Sequence, residues 1–146
     1  MSSTPFTPPS GQAYAHGVIK SNVPIIVRPA EGEAAPGPPT PGMDRRQLLD
    51  HGDRWVAWVR TDPGVAGGWH HHGERDTYFV MLGGSLTIDF GPNGSEHVSA
   101  SAGDLGFIPA GVVHRETTGP EVPGEAMVLR IGTGPQNVNV DGPDPG

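Results

Sequence analysis

The chain has 146 residues, with 9 Lys+Arg against 16 Asp+Glu, 7 His and no Cys. That length suits a single domain, and the missing cysteine excludes a disulfide scaffold, thiol catalysis, thiolate-bound zinc and iron–sulfur clusters. A formal net charge of −7 argues against nucleic acid as a partner, and no apolar run approaches the ~20 residues of a bilayer-spanning helix.

Residues 1–20 read as a flexible tail. They lack the basic and apolar stretches of a secretion signal, so a cytoplasmic location is expected. Gly (23) and Pro (17) are abundant, but 14 of the prolines lie before Met43 or after Thr118, leaving Pro63, Pro92 and Pro109 between. The middle is therefore an ordinary folding unit, with one barrel domain expected over 21–133 and an irregular C-terminal tail over 134–146. Val23–Arg28 is a short β-type run whose flanking prolines restrict it to an edge or an exchanged strand. Ala30–Gly42 is a Pro/Gly loop. Met43–Gly52 is read as a strand, although its propensity also permits a helical turn or two. Trp55–Arg60 is rich in strand formers and stops at Thr61-Asp62-Pro63-Gly64, a turn sequence. Tyr78–Leu82 is a buried type of strand ended by two glycines. Leu86, Ile88 and Phe90 alternate with Ser85, Thr87 and Asp89, the pattern of a half-buried strand. Asn93-Gly94 marks a hairpin turn. Glu96–Ser99, Leu105–Ile108, His114–Thr117 and Met127–Ile131 complete the series. Short strands at this spacing, without a long helical period, predict an all-β sandwich or closed barrel.

The informative stretch is Gly68-Trp69-His70-His71-His72-Gly73. In a strand His70 and His72 share a face, about 6–7 Å apart, and His71 points away. Two imidazoles so placed can converge on one ion. Asp76 lies four residues past His72, and a turn at Gly73 would return its carboxylate to the same point. Two His and a carboxylate leave coordination positions open for a substrate or dioxygen. A second stretch, Gly103 to His114, holds two further glycines and Pro109 around a strand–turn–strand, with His114 just after the turn.

Together the two stretches resemble the motifs of the cupin superfamily. Gly64-x5-His70-x-His72-x3-Asp76-x6-Gly83 matches the first, and Gly103-x5-Pro109-x-Gly111-x2-His114 the second. Nineteen residues, Gly84 to Ala102, separate them. Asp76 stands where Glu is usual, and Thr118 where the second motif ends in Asn. Glu74 is the rival carboxylate if the chain bends differently. The resemblance implies a double-stranded β-helix, or jelly-roll barrel, holding one divalent metal ion through His70, His72, Asp76 and His114. His and carboxylate ligands suit Fe, Mn, Ni or Zn alike.

Glu116 follows His114 by two residues on the same strand face. There it is a general base or a support for a ligand His, or else a partner of Arg115. Tyr78 shares parity with Asp76 and is either a pocket hydroxyl or a core residue. The expected function is a metal-dependent enzyme acting on a small organic molecule in the barrel. A dioxygenase-type oxidoreductase comes first, with isomerase, cyclase or decarboxylase chemistry close behind. The alternative is a binding or sensing module without turnover. The resemblance also implies a homodimer.

Overall fold

Strand alternation settles which side chains face inward. In β5 (Arg54–Thr61) Trp55, Ala57 and Thr61 are buried while Arg54 and Arg60 face water. In β4 (Met43–Asp50) a register shift between Gln47 and Leu49 breaks the alternation and buries both Gln47 and Leu48. The computed structural model describes residues 14–15, 18–19, 22–37 and 39–145. The remaining strands are β1 (Tyr14–Ala15), β2 (Val18–Ile19), β3 (Glu33–Ala34), β6 (His70–His71), β7 (Asp76–Gly83), β8 (Ser85–Phe90), β9 (Glu96–Ser101), β10 (Leu105–Ile108), β11 (His114–Thr118), β12 (Gly124–Ile131) and β13 (Val138–Asn139).

One sheet has six strands in the order β10-β7-β12-β5-β4-β3, and a second has five in the order β13-β6-β11-β8-β9. All neighbours are antiparallel. Trp55, Ala57, Phe79, Met81, Ile108, Ala126 and Val128 of the larger sheet pack with Ile88 of the smaller one, closing an apolar core between the layers. Gly106 sits opposite Phe79 across the β7–β10 ladder, and a Cβ at that position would collide with the Phe79 ring. The glycine lets a large aromatic turn inward over an edge strand.

Each strand expected from Met43 onward is present, the first ending two residues early at Asp50 and several others one to three residues longer. Elsewhere the outcome differs. Val23–Arg28 forms no strand, because Pro24 and Pro29 cannot donate to a ladder, and Ile26 stays exposed. A 3-10 turn follows at Pro29–Glu31, and the Pro/Gly loop contains β3, paired with β4. The expected tail 1–20 lies mostly outside the described residues, which there include only the β1–β2 pairing. The segment 134–146 contains β13, paired with β6 through Val138–His71 and Asn139–His70. No helix of the described residues is long and apolar enough to cross a membrane.

Candidate metal centre

The histidines meet because β6 and β11 are neighbours. His70 lies directly across from His114, and the chain leading into β6 is laced to β11 by Gly67 N–H to Glu116 O at 2.9 Å and Thr118 N–H to Val65 O at 2.9 Å. His72 follows β6, just before Gly73 turns the chain with φ +59°, a conformation glycine adopts without strain. Ring centroids are 5.0 Å apart for His70–His72, 4.3 Å for His70–His114 and 5.0 Å for His72–His114.

Each ring is held the same way. Nδ1 of His70 donates to Gly68 O at 2.8 Å, Nδ1 of His72 to Gln136 O at 2.8 Å, and Nδ1 of His114 to Val112 O at 2.9 Å. A carbonyl can only accept, so each Nδ1 carries the proton and each neutral ring presents a bare Nε2. This is how metal-ligating histidines are oriented by their outer partners. Glu116, on β11, completes the group, with Oε1 3.2 Å from His114 Nε2 and Oε2 3.8 Å from His70 Nε2.

The residues fit a divalent ion. Ligand atoms of His70, His72, His114 and Glu116 all lie within 4.8 Å of one another, near the ~4 Å spanned by opposite ligands at 2.0–2.2 Å from one metal. His72 Nε2 is buried without a hydrogen-bond partner among the described residues. The His114 and Glu116 acceptors face each other, an arrangement that requires a proton or a cation between them.

Burial pushes the His72 pKa down to about 3, reinforced by the charge of Arg130. Burial also lowers that of His70, against the pull of Glu116. For His114 burial is outweighed by the hydrogen bond and charge of Glu116, and its pKa rises. Glu116 is likewise desolvated, yet the His114 bond and the neighbouring rings hold it well below the usual carboxylate range. These shifts favour neutral His70 and His72 and make the His114–Glu116 pair the place where the cluster holds a proton most readily.

Of the four expected ligands, the structure gathers His70, His72 and His114. Asp76 lies outside the group. It opens β7, and its Oδ1 accepts from Ala110 N–H at 2.9 Å. On that strand Thr77, Phe79 and Met81 are buried, so Asp76 and Tyr78 belong to the other face. The carboxylate in the group is Glu116 instead, which sequence reasoning placed beside the metal as a base or support. Glu74 is exposed in the turn. Tyr78 stacks on Phe107 with centroids 4.9 Å apart, away from the pocket. Sequence reasoning missed Gln136, whose carbonyl fixes His72, and Arg130 on the inner face of β12. The alternation of Ala126, Val128 and Arg130 was the available signal for the latter.

The centre opens on a cavity of about 450 Å³, lined by Phe79, Met81, Leu86, Ile108 and Val128 among others. That volume is in the range of small-molecule sites.

No protein-family profile matches the chain. A 47-residue stretch is 45% identical to the uncharacterized protein YdbB of Bacillus subtilis (strain 168), covering 32% of this chain and 40% of that protein. The chain thus matches less than half of that relative's length. The polyketide cyclase RemF from Streptomyces resistomycificus superposes with a TM-score of 0.66 at 22% identity, over 82% of this chain and 87% of that one. An uncharacterized double-stranded β-helix protein from Klebsiella pneumoniae subsp. pneumoniae MGH 78578 gives 0.61 at 17% identity, over 72% and 90%. The architecture is a double-stranded β-helix with a histidine-lined interior. The chain has the cupin fold.

Proposed function

We propose that the protein is a metal-dependent cupin enzyme that transforms a small organic molecule inside the barrel, with His70, His72, His114 and Glu116 holding one divalent ion. The observation that carries this is the set of three Nδ1–H bonds to backbone carbonyls, which turns every Nε2 into the cluster, that of His72 without a partner and that of His114 facing Glu116 Oε1. A bound ion supplies Lewis acidity toward a substrate oxygen, and redox capacity if it is iron or manganese. The protein's part is positioning and exclusion. The backbone bonds fix the ring planes, Glu116 lowers the net charge of the centre, and Phe79, Met81 and Val128 keep the substrate's surroundings dry. On loading, the proton shared by His114 and Glu116 would pass to solvent, freeing both groups to hold the ion. Dioxygen-dependent oxidation is the first reaction class to test, with cyclisation, isomerisation and decarboxylation next. The likeness to a polyketide cyclase supports the fold's capacity for enzyme chemistry, while fold alone does not assign a reaction.

Elemental analysis of protein purified without added metal tests the centre. Near-stoichiometric metal is expected, falling away in His70→Ala and His114→Ala, and metal retained in both variants overturns the assignment. Dioxygen uptake by the iron-loaded protein with enediols, flavonoids and β-dicarbonyls tests the chemistry. Binding without conversion throughout the reaction classes would favour the sensing module.

A homodimer is the assembly that the outer face of β7 and β10 supports. Leu105 is 70% exposed and Phe107 51%, beside exposed Val80 and Leu82, with Leu105 paired to Val80 in register. An apolar sheet face of this kind on a short edge strand marks an interaction surface. Light scattering should give twice the chain mass, reverting to one in Leu105→Glu/Phe107→Glu. A monomeric wild-type protein ends this assignment.

A further inference from the structure

Arg130 is a cation inside the barrel whose role the metal centre does not explain. It projects from the inner face of β12, and its guanidinium lies over the Trp55 ring, 4.9 Å from the centroid. Nε bonds Thr77 Oγ1 at 3.3 Å, and Nη1 bonds both the carbonyl and the side-chain oxygen of Gln136 at 3.4 Å. All these partners are neutral. No carboxylate among the described residues forms an ion pair with it. Its Nη2 has no hydrogen-bond partner there and is not sealed in the protein, while Arg130 lines the cavity.

Arg130 is half-buried, and Glu116, the carboxylate whose charge reaches it, makes no ion pair with it, so a carboxylate or phosphate ligand would relieve its desolvation cost. Its placement relative to the metal centre is set by one atom. The Gln136 carbonyl oxygen receives both Arg130 Nη1 at 3.4 Å and His72 Nδ1 at 2.8 Å. The guanidinium and a metal-ligating ring are thus neighbours on one side of the cavity. Stacking on Trp55 restrains the guanidinium plane, favouring planar two-point recognition. Phe79, Met81, Ile108 and Val128 give the wall its apolar part, and Arg45 and Glu125 also reach the cavity.

Resting on the metal-centre reading for its second anchor point, we propose that Arg130 is the specificity residue of the pocket and that the ligand is a small carboxylate with an apolar body. The carboxylate meets Arg130, a second oxygen one or two bonds away faces the centre, and the apolar portion lies against Phe79, Met81 and Val128.

Isothermal titration with mandelate and its neutral isostere mandelamide tests this, on zinc-loaded and on metal-stripped protein. In the wild type, mandelate should bind roughly ten- to a hundredfold more tightly than mandelamide, the range for a charge-assisted pair. Arg130→Gln should remove that preference in the metal-stripped protein and reduce it in the loaded one, with zinc content unchanged. Arg130→Lys should restore part of it, because the charge returns without the planar fork. Equal affinities in the wild type, an undiminished preference in Arg130→Gln, or no binding in any arm each overturn the proposal. An Arg130-dependent preference in protein that takes up no zinc would sustain the carboxylate site and sink the metal centre. Should Arg130→Gln fail to fold by circular dichroism, the wild-type comparison and Arg130→Lys decide.

Discussion

The two sheets face the same interior and fill it differently. The six-stranded sheet sends in Trp55, Ala57, Phe79, Met81, Ala126 and Val128, a mainly apolar wall with Arg130 near the end of β12 as its cation. The five-stranded sheet sends in His70, His114 and Glu116, with His72 just beyond β6. One sheet supplies most of the apolar contact area and the other the lone pairs of the histidine cluster. A buried histidine triad costs desolvation, as the lowered pKa values of His70 and His72 record, and the apolar wall opposite offsets that cost. The contrast shows a division of labour in which stability and chemistry reside on opposite walls of one cavity.

Substitutions on each wall should separate those two roles. His114→Gln removes the fully buried histidine proposed as a ligand and should abolish metal retention, measured by elemental analysis. Met81→Ala, at a side chain 1% exposed, should cost about 2–5 kcal/mol in chemical denaturation while metal content per folded molecule stays unchanged. If Met81→Ala sheds metal as readily as His114→Gln, the division between the walls fails. Glu116→Gln keeps the shape and removes the charge, and should weaken metal affinity by roughly ten- to a hundredfold, the range for perturbed ligand environments.

The same proton bookkeeping predicts a pH dependence. His70 and His72 are already neutral near pH 7, whereas the raised pKa of His114 means that a proton must leave as metal binds. Affinity should therefore fall about tenfold for each pH unit below the His114 pKa. In Glu116→Gln that fall should begin at lower pH, because the bond and charge that hold the proton are gone. For the metal-free fold the signs follow from the same pair. His114, raised, adds stability that is full below its unfolded value of 6.5 and lost as pH rises through the folded value. Glu116, lowered, adds stability present above 4.5 and lost as pH falls through its folded value. His70 and His72, both lowered, lose stability as pH falls below 6.5, because the unfolded chain takes up protons that the buried rings refuse. Thermal melts of stripped protein should therefore peak near pH 6.5, and Glu116→Gln should remove the fall on the alkaline side.

Much of this arrangement could be read before any coordinates. The strands from Met43 onward announce themselves through β-rich runs between turn sequences, and His70, His72 and His114 through their spacing. The parity of β7 did not. Tyr78, Val80 and Leu82 on its outer face are as apolar as Phe79 and Met81 inside, so Asp76-Thr77-Tyr78-Phe79-Val80-Met81-Leu82 gives no alternation to show which residues turn inward. The outer residues are apolar on a face left exposed in the monomer. Gln136 was hidden for another reason. Its contribution is a backbone carbonyl, which any residue possesses, and only the pairing of β13 with β6 brings it under His72.

Asp76 supplies the gentlest test of the contrast between the walls. It stands at the place the motif gives to a ligand, yet its carboxylate accepts from Ala110 N–H and ties the start of β7 to the turn after β10. Asn at this position keeps an oxygen acceptor and the same length, so Asp76→Asn should cost under about 1 kcal/mol. Metal affinity should stay within about twofold of wild type, since a change of up to roughly 0.4 kcal/mol is within ordinary mutational scatter. Asp76→Ala leaves Ala110 N–H to water and should cost about 0.5–1.5 kcal/mol, again with metal content intact. Paired titrations of Asp76→Asn and Glu116→Gln with the same metal then read the two carboxylates against each other. A larger loss in Asp76→Asn would return the ligand role to Asp76 and require β7 to slip by one residue against β10 and β12, exchanging its faces.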